Sequence, residues 1–283
     1  KKDEIDIAWG VENEVDYFAI SFVQNAKDMK NARKLLNGYK GKLIAKIEKF
    51  DAVANIDEII EQSDGIMVAR GDLGIEVPYY DVPTIQKMLI KKANLKGIPV
   101  ITATQMLLSM TQNERATRAE ISDVANAVLD GTDVVMLSEE SAVGEDPINV
   151  VDTMHNIIAK TEDIYNFDKQ YKFPYLDEFD VIQATVTKLA DDLKANGILA
   201  ITSSGKSALK MSRYRPRTPI FTFTHKKKVL NSLTAIWGVE PIGIIKEAQA
   251  SKMFQKMLKS LDEIGKLKKD GLYVATVGYP VGM

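Results

Sequence analysis

The sequence predicts an α/β protein in two parts, a partial (β/α)8 barrel of the TIM type with about five βα units and then an open α/β domain. Two observations predict the first part. Short β-branched runs alternate with helical patterns up to about residue 160, and every run ends in polar residues. Near-continuous apolar strands separated by helices indicate a parallel sheet that is buried on both faces. Polar side chains gathered at the carboxyl ends of such strands are typical of a (β/α) barrel.

The first part contains five predicted strands, at residues 17–21, 43–47, 65–69, 99–103 and 133–137. Amphipathic helices are predicted between them at residues 51–61 and 82–95, and a third helix at 118–129 ends before Gly131. A closed barrel of this type needs eight strands. We therefore expect either that the remaining strands lie outside this chain or that other groups cover the open edges of the sheet.

The character of the sequence changes near residue 162. From 162 to 179, aromatic residues lie among charges without clear periodicity, which predicts a connecting segment. A second βα series follows, with a helix at 181–196 and strands at 198–202, 219–224, 239–244 and 271–277. The predicted organisation is therefore a barrel part at 1–161, a connecting segment at 162–179 and an open α/β domain at 180–283.

Composition excludes several functional classes. A net charge of −2 provides no basic surface of the kind that binds nucleic acid. No apolar stretch approaches the roughly 18 residues that a membrane span needs, and no secretory signal opens the chain. Without cysteine the chain has no disulfide, no thiolate nucleophile and no cysteine zinc site. We expect a cytoplasmic protein with neither a nucleic acid nor a membrane as its partner.

One lysine and two acids stand at the ends of successive predicted strands. Strand alternation places Lys46 and Glu48 on one face, and Asp72 follows the next strand. Mg²⁺ takes one or two carboxylates together with water and substrate oxygens, so two acids suffice for a site. The structural alternative is that the acids cap helices or pair with cations, because an unpaired inward lysine is costly. The pattern favours a metal site with Lys46 facing an enolate or a transferring phosphoryl group.

Two weaker signals lie at other strand ends. Thr104 has a hydroxyl of the kind that hydrogen-bonds a substrate carboxylate or directs a proton, although threonine is also common in strands. The second is a polar loop before a helix, made of Thr202, Ser203, Ser204, Gly205, Lys206 and Ser207. Such a loop is an anion cradle or, equally, an ordinary serine-rich turn. Beyond it, Arg213, Arg215 and Arg217 add positive charge or are simply solvated.

These motifs together resemble one family, the pyruvate kinases, over essentially the whole chain. The resemblance lies in residues 46–48 and in three stretches: DGIMVARGDLGIEV at 64–77, ATQML at 103–107 and TRAEISDVANAVLDG at 117–131. One stretch departs from the family, because residues 138–142 read SEESA where SGETA is usual, so Glu139 replaces a glycine on the nucleotide side. The resemblance implies an eight-stranded barrel, a small β domain inserted after its third strand, and a C-terminal α/β domain.

The resemblance also implies roles for individual residues. Lys46 matches the lysine that stabilises the transition state, and Glu48 and Asp72 match the ligands of the divalent cation, Mg²⁺ or Mn²⁺. Gly71, Asp72 and Thr104 match the positions that hold phosphoenolpyruvate, with Thr104 near the carbon that is protonated. Residues 202–207 match the loop that binds the phosphate of a sugar-phosphate or nucleotide effector in regulated members.

The implied activity is phosphoryl transfer from phosphoenolpyruvate to ADP, which gives pyruvate and ATP in glycolysis. The resemblance further implies a homotetramer at full length and a K⁺ cofactor, whose ligands lie in barrel strands before the part that this chain resembles. Two alternatives stay open: an Mg²⁺-dependent aldolase or lyase that acts on a pyruvate enolate, and a non-catalytic fragment for regulation or assembly. The C-terminal anion loop argues against the first. Because those earlier strands are missing, we expect little kinase activity from the isolated chain.

Overall fold

The computed structural model describes residues 2–168, 172–247 and 249–277. The chain forms two compact units, Lys1–Asn166 and Phe167–Met283. The division between them falls inside the segment at 162–179 that the sequence predicts to be a connection. Within the described ranges, no helix is long and apolar enough to cross a lipid bilayer.

A five-stranded parallel sheet forms the centre of the first unit, in the order β1-β2-β3-β4-β5. Its strands are β1 (Tyr17–Ile20), β2 (Lys42–Ile47), β3 (Gly65–Ala69), β4 (Val100–Ala103) and β5 (Val134–Val135). Each strand pairs with the next one in sequence, which requires crossover connections of the kind that helices provide. The prediction of a partial barrel is confirmed.

Helices connect these strands. They are α1 (Lys2–Glu12), α2 (Ala26–Leu35), α3 (Phe50–Ala54), α4 (Ile56–Gln62), α5 (Arg70–Glu76), α6 (Val82–Lys96), α7 (Arg118–Asp130), α8 (Glu139–Ala142) and α9 (Pro147–Glu162), with 3₁₀ helices at Tyr79–Asp81 and Leu108–Thr111. The sequence pattern does not predict α1. The single helix predicted at 51–61 is wrong, because Asn55 leaves the helical conformation at φ −99° and ψ 17°. Its side-chain amide donates a hydrogen bond to the carbonyl of Gln24 at 3.0 Å, which ties the break to the loop after β1.

The side chains of β2 alternate between two apolar layers. Leu43, Ala45 and Ile47 belong to the large core that packs the sheet against the surrounding helices. Ile44 belongs to a smaller core on the opposite face of the sheet. Since side chains alternate with a period of two, Lys46 lies on the Ile44 face, as the sequence predicts.

The amino ends of the strands share a repeated hydrogen bond. The carboxylate of Asp64, just before β3, accepts the backbone N–H of Leu43 at 2.8 Å. The carboxylate of Asp133, just before β5, accepts the backbone N–H of Val100 at 3.0 Å. Burial, followed by nearby aspartate charges, raises the pKa of Tyr17 at this edge to about 12. This edge therefore holds the strands in register, and the predicted functional residues lie at the opposite edge.

A four-stranded parallel sheet forms the centre of the second unit, in the order β8-β7-β6-β9. Its strands are β6 (Gly197–Thr202), β7 (Ile220–Thr224), β8 (Val239–Ile244) and β9 (Tyr273–Thr276), and its helices are α10 (Glu178–Asp192), α11 (Lys206–Ser212), α12 (Lys227–Ser232) and α13 (Ala250–Glu263). Separate apolar cores lie against this sheet, one with Ile198 and Ala200 and the other with Leu199 and Ile201. The open α/β prediction for this part of the chain is confirmed.

Two of the three arginines after α11 are buried, so the expectation that they are solvated is wrong. Arg213 and Arg215 are 1 % and 2 % exposed, and only Arg217 lies at the surface. Burial of two guanidinium groups is possible because each finds partners within this unit. Arg213 pairs with Asp180 at 3.0 Å, and the Arg215 guanidinium lies 5.3 Å from the Trp237 ring.

Candidate active site

Lys46 and Glu48 form an ion pair at the carboxyl end of β2. The Lys46 Nζ lies 2.5 Å from Glu48 Oε1 and donates a hydrogen bond to Ser21 Oγ at 3.1 Å. The lysine side chain is 25 % exposed, whereas the glutamate side chain is 1 % exposed. The ammonium is thus held in place on one side and remains open to a ligand on the other.

The buried Glu48 carboxylate is also anchored by the backbone of the neighbouring loop. Its Oε2 accepts the N–H of Phe22 at 2.7 Å. A carboxylate offers about four lone-pair positions, so two accepted bonds leave capacity for a further ligand. Phe22 is a partner that sequence reasoning misses, because a backbone N–H carries no sequence signal.

Asp72 lies in the first turn of α5, directly after β3, and its side chain is exposed. An acid is favourable at this end of a helix because the helix dipole is positive there. The pKa of the nearby Lys49 lies above its ordinary value, chiefly because Glu76 accepts a hydrogen bond from its ammonium, with the charges of Asp72 and Glu48 adding to the effect. The structure therefore brings both predicted carboxylates within electrostatic reach of one ammonium.

Two carboxylates are the donor set that these strand ends offer to a cation. Among the described residues, no group of three or more histidine, cysteine, aspartate or glutamate side chains is arranged to hold a metal ion. Mg²⁺ accepts such a sparse protein contribution, because it retains several waters and takes further oxygens from a phosphorylated substrate. The chemistry of Glu48 and Asp72 therefore fits Mg²⁺ or Mn²⁺ as the sequence predicts.

Gly71 and Thr104 are in direct contact, although 33 positions separate them in sequence. The Gly71 N–H donates to Thr104 Oγ1 at 2.8 Å, and that hydroxyl donates to the carbonyl of Ala103 at 2.6 Å. The contact joins the ends of β3 and β4, which pair with each other in register. Both residues belong to the set that the resemblance assigns to substrate binding.

The turn after β4 has a strained backbone. Thr104 and Gln105 have φ values of +68° and +54°, in the left-handed region that residues other than glycine seldom adopt and that a β-branched residue such as threonine adopts least readily. Such strain persists at functional sites only where surrounding structure over-determines it. The positive φ values therefore indicate that the exact position of the Thr104 and Gln105 side chains is kept at the expense of local backbone stability.

Arg70 holds the start of this turn and is a residue that sequence reasoning misses. Its guanidinium donates to the carbonyls of Thr104 at 2.6 Å and Ala103 at 3.3 Å, and it pairs with Asp123 at 2.6 Å. The Arg70 side chain is only 9 % exposed. The sequence does offer one indication of its role. Arg70 stands between a fully buried strand and Gly71, and a charged side chain there that has no local partner requires one from elsewhere in the fold.

Glu120 holds the other side of the segment after the turn. Its carboxylate accepts hydrogen bonds from the Ser109 N–H at 2.7 Å and the Ser109 hydroxyl at 2.5 Å, and it forms the capping box of α7 with Thr117. Burial alone raises the pKa of Glu120, but the hydrogen bonds from Ser109 and Thr117 outweigh burial and hold this pKa below its usual value.

Glu120→Gln is expected to destabilise the fold at pH 7 by an amount that disappears in acid. Because the folded-state pKa lies below the unfolded one, the ionised group stabilises the fold above about pH 4.3, and this contribution is lost as the pH falls through the folded-state value. Urea unfolding at pH 7 and at about pH 3.5 measures the difference. The exposed Glu114→Gln serves as the control. A gap between Glu120→Gln and wild type that is independent of pH would contradict this account.

The predicted anion loop of the second unit is a compact turn between β6 and α11. Thr202 Oγ1 accepts the Gly205 N–H at 2.9 Å, and Gly205 has a φ of +85°, which glycine adopts without strain. Lys206 and Ser204 are exposed. The turn is closed by its own hydrogen bond, and phosphate binding by its hydroxyls and lysine stays a prediction.

Family models match both units of this chain. The model described as pyruvate kinase, barrel domain matches residues 1–151, and the model described as pyruvate kinase, alpha/beta domain matches residues 180–283. The chain is 43% identical over 290 residues to a pyruvate kinase of Clostridium acetobutylicum, and this match covers 100% of the chain and 61% of that protein. Pyruvate kinases of Lactobacillus delbrueckii subsp. bulgaricus and Geobacillus stearothermophilus are 42% and 43% identical, with 100% of the chain and 49% of each relative covered. The chain thus spans about half to three-fifths of the length of these relatives.

Proposed function

Because the chain belongs to the pyruvate kinase family, we propose that it serves phosphoryl transfer from phosphoenolpyruvate to ADP, giving pyruvate and ATP. One observation carries the proposal: the Lys46–Glu48 pair and the Gly71–Thr104 contact lie at the same edge of adjacent strands. A fixed cation, two carboxylates and a polarised hydroxyl are what a phosphorylated enol substrate requires.

Lys46 supplies fixed positive charge opposite the moving phosphoryl group. The buried Glu48 carboxylate and the Ser21 hydroxyl hold the ammonium before substrate arrives, so little reorganisation is needed during the reaction. Glu48 and Asp72 would hold Mg²⁺ or Mn²⁺, which when bound supplies charge that neutralises phosphate and enolate oxygens. Little covalent chemistry is asked of the protein, and its work is positioning and charge stabilisation.

We assign to the Thr104 hydroxyl the transfer of a proton to the enolate carbon, with a proton from solvent replacing the one that the hydroxyl gives up. Its oxygen accepts the Gly71 N–H, which polarises the hydroxyl and strengthens it as a donor. In the described structure this hydroxyl donates to the Ala103 carbonyl, so rotation about the Cβ–Oγ1 bond redirects the proton toward a bound ligand while the oxygen keeps the Gly71 N–H. The proposal therefore assigns proton transfer to Thr104 and charge stabilisation to Lys46.

The direct test is pyruvate formation from phosphoenolpyruvate and ADP by the full-length product of the gene, with Mg²⁺ and K⁺ present. We expect turnover that requires both substrates. Absence of pyruvate despite bound Mg²⁺ would overturn the proposal. Aldol cleavage of a pyruvate-derived substrate without dependence on ADP would favour the aldolase or lyase alternative instead.

Asp72→Asn is expected to raise the Mg²⁺ concentration needed for half-maximal activity by at least about 10-fold to 100-fold. Loss of a group that merely orients a metal ligand costs about that much metal affinity, so loss of a ligand costs no less. Mn²⁺ binding measured by electron paramagnetic resonance checks the prediction without relying on activity. The control is Asp51→Asn, an exposed acid in the first turn of α3, the helix that follows β2. Equal metal affinity of the two variants would remove Asp72 from the site.

Family membership supports further proposals about partners. We propose K⁺ as a second cofactor, a homotetramer as the full-length assembly, and a sugar-phosphate or nucleotide effector at Thr202–Ser207. Support for the effector site is the exposed Lys206 beside a turn that Thr202 closes. Sedimentation of the full-length protein tests the assembly, and a phosphate-bearing effector that changes the activity of wild type but not of Lys206→Ala tests the loop.

A further inference from the structure

Glu140 carries a buried carboxylate to which the proposed mechanism gives no role. It lies on α8, after β5, and is 1 % exposed. Its Oε1 accepts the N–H of Leu107 at 3.1 Å, and its Oε2 accepts the N–H of Ser138 at 2.8 Å. In the part of the chain that the structure describes, it forms no ion pair with a lysine or an arginine. A charge that is buried without an opposite charge is a poor source of stability, so stability alone does not account for a carboxylate at this position.

The two hydrogen bonds of Glu140 join the carboxyl ends of two neighbouring strands. Leu107 ends the turn that follows β4, and Ser138 follows β5. Charge-assisted hydrogen bonds of this kind are about twice as strong as bonds between neutral groups. The Glu140 side chain therefore acts as a cross-link between the turn that contains Thr104 and the next strand.

This turn is the strained one. Thr104 and Gln105, with φ values of +68° and +54°, need support from outside their own backbone. Arg70 supplies it at the start of the turn through the Thr104 carbonyl, and Glu140 supplies it at the end through the Leu107 N–H. A positive side chain that is 9 % exposed and a negative one that is buried thus hold the two ends of one turn.

The surroundings leave the turn little freedom to move by itself. Met106 and Leu107 are fully buried in an apolar core with Val124 and Met154. Around α8 the chain is equally tight, since a Cβ at Gly144 would lie 2.2 Å from the Glu140 carbonyl oxygen. Because both partners of the cross-link are rigid, a change at the Glu140 carboxylate is passed to Thr104, three residues before Leu107, rather than absorbed locally.

We propose that Glu140 is a positioning residue for the reaction. Its carboxylate holds the Thr104–Leu107 turn from the β5 side and keeps the Thr104 hydroxyl aligned with Gly71 and the substrate. The inference rests on the proposed function, because it concerns the placement of the group that handles the proton. It adds a residue that touches neither substrate nor metal.

Glu140→Gln tests the proposal with little change in volume. The amide replaces one acceptor oxygen by an NH₂ donor. The backbone N–H of either Leu107 or Ser138 then meets a second donor instead of an acceptor. We expect kcat to fall by about 10-fold to 100-fold, since a misplacement of about 1 Å has effects of that order. The KM for phosphoenolpyruvate should change by less than about 3-fold, because Lys46 and Gly71 keep their places. The matched control is Glu145→Gln, an exposed acid that follows α8 and makes no described side-chain bond.

A double-mutant cycle separates positioning from a general structural role. In a Thr104→Val background, Glu140→Gln should lower kcat by less than about 3-fold, because the group through which it acts is already gone. Full additivity of the two losses would overturn the inference, as would an unchanged kcat in Glu140→Gln. If Glu140→Gln does not fold, Glu140→Asp, which keeps the charge but shortens the reach, takes its place in the same cycle.

The outcomes for the two proposals are distinct. If wild type forms no pyruvate, the proposed function fails and the inference about Glu140 falls with it. If wild type is active and the losses are additive, only the role of Glu140 is refuted. Mn²⁺ binding by Glu140→Gln should match wild type, since the metal carboxylates belong to other strand ends.

Discussion

Replacement of Lys46 by methionine is expected to lower kcat for pyruvate formation by about 10³-fold while leaving divalent metal binding intact. Loss of one preorganised electrostatic group costs about 10²-fold to 10³-fold in rate, and the charge on a moving phosphoryl group is large. The ammonium is held by Glu48 and Ser21 before any ligand binds. Lys49, the next lysine along the chain, pairs with Glu76 at 2.5 Å and is therefore not free to replace it.

Metal binding is the internal control for this prediction. Without the ammonium, the Glu48 carboxylate keeps the hydrogen bond from Phe22 and presents more negative charge to a cation. Mn²⁺ affinity of Lys46→Met should therefore equal or exceed that of wild type. Lys42→Met, on the same strand with a 43 % exposed side chain, should retain full activity. Loss of turnover and metal binding together would indicate structural collapse, and retention of turnover would remove Lys46 from the mechanism.

Replacement of Arg213 by methionine is expected to lower the free energy of unfolding of the second unit by about 3–5 kcal/mol. Arg213 and Asp180 are both fully buried, with Nη1 and Oδ2 at 3.0 Å. Removal of Arg213 leaves this buried carboxylate with a more distant cation, the Lys210 ammonium at 4.0 Å from Oδ1, and such a loss is far costlier than loss of a surface pair. Two other groups, the Tyr214 hydroxyl at 2.9 Å and the Leu176 N–H at 2.9 Å, also donate to Asp180 but carry no full charge.

The chain offers a matched control and a local reporter for this measurement. Arg217 is exposed and stacks on Phe167 with its guanidinium carbon 4.6 Å from the ring centre, so Arg217→Met should cost less than about 1 kcal/mol. The chain has two tryptophans. In a Trp9→Phe background the remaining one, Trp237, reports urea unfolding of the second unit. Equal losses in the two arginine variants would show that the buried pair contributes no more than a surface contact.

The burial of Asp180 and its neighbours also explains why the pKa of Tyr214 lies above its ordinary range. Burial is the main cause, and the hydrogen bond to the Asp180 carboxylate adds to it, because ionisation of the phenol would place a second negative charge beside the first. The Arg213 guanidinium acts in the opposite direction. Tyr214 therefore stays a neutral donor, and the positive charges paired with Asp180 are the Arg213 guanidinium at 3.0 Å and the Lys210 ammonium at 4.0 Å.

Much of the first unit follows from local pattern. Strand β3 occupies the predicted residues 65–69, and the period of two places Lys46 opposite Ile47, as the sequence predicts. Helix α7 ends at Gly131 in the left-handed conformation that its sequence position predicts. These features depend on neighbours a few residues apart, so a single sequence contains their physical cause. The domain boundaries at 161 and 179 and the roles of the site residues stay predictions.

Helix ends were less predictable where a side chain acts across the chain. Helix α10 begins at Glu178, earlier than predicted, because the Asp177 carboxylate accepts the N–H of Asp180 at 2.7 Å. A capping aspartate can be recognised in the sequence. The ion pair between Asp180 in the same stretch and the distant Arg213 cannot be recognised there. The start of α10 is therefore fixed both by a local cap from Asp177 and by a tertiary ion pair of Asp180.

The sequence by itself therefore determined the parallel α/β architecture, the strand ends at which polar residues gather, and the placement of Lys46 and Glu48 on one face of β2. Periodicity and short-range geometry suffice for these, because each depends on residues within one strand or one turn. Only the tertiary structure decided that Arg70 and Glu140 hold the strained turn at Thr104, and that Arg213 is buried against Asp180. Their partners lie about 30 positions away in sequence, and a charge pattern does not reveal whether a group faces water or a distant opposite charge.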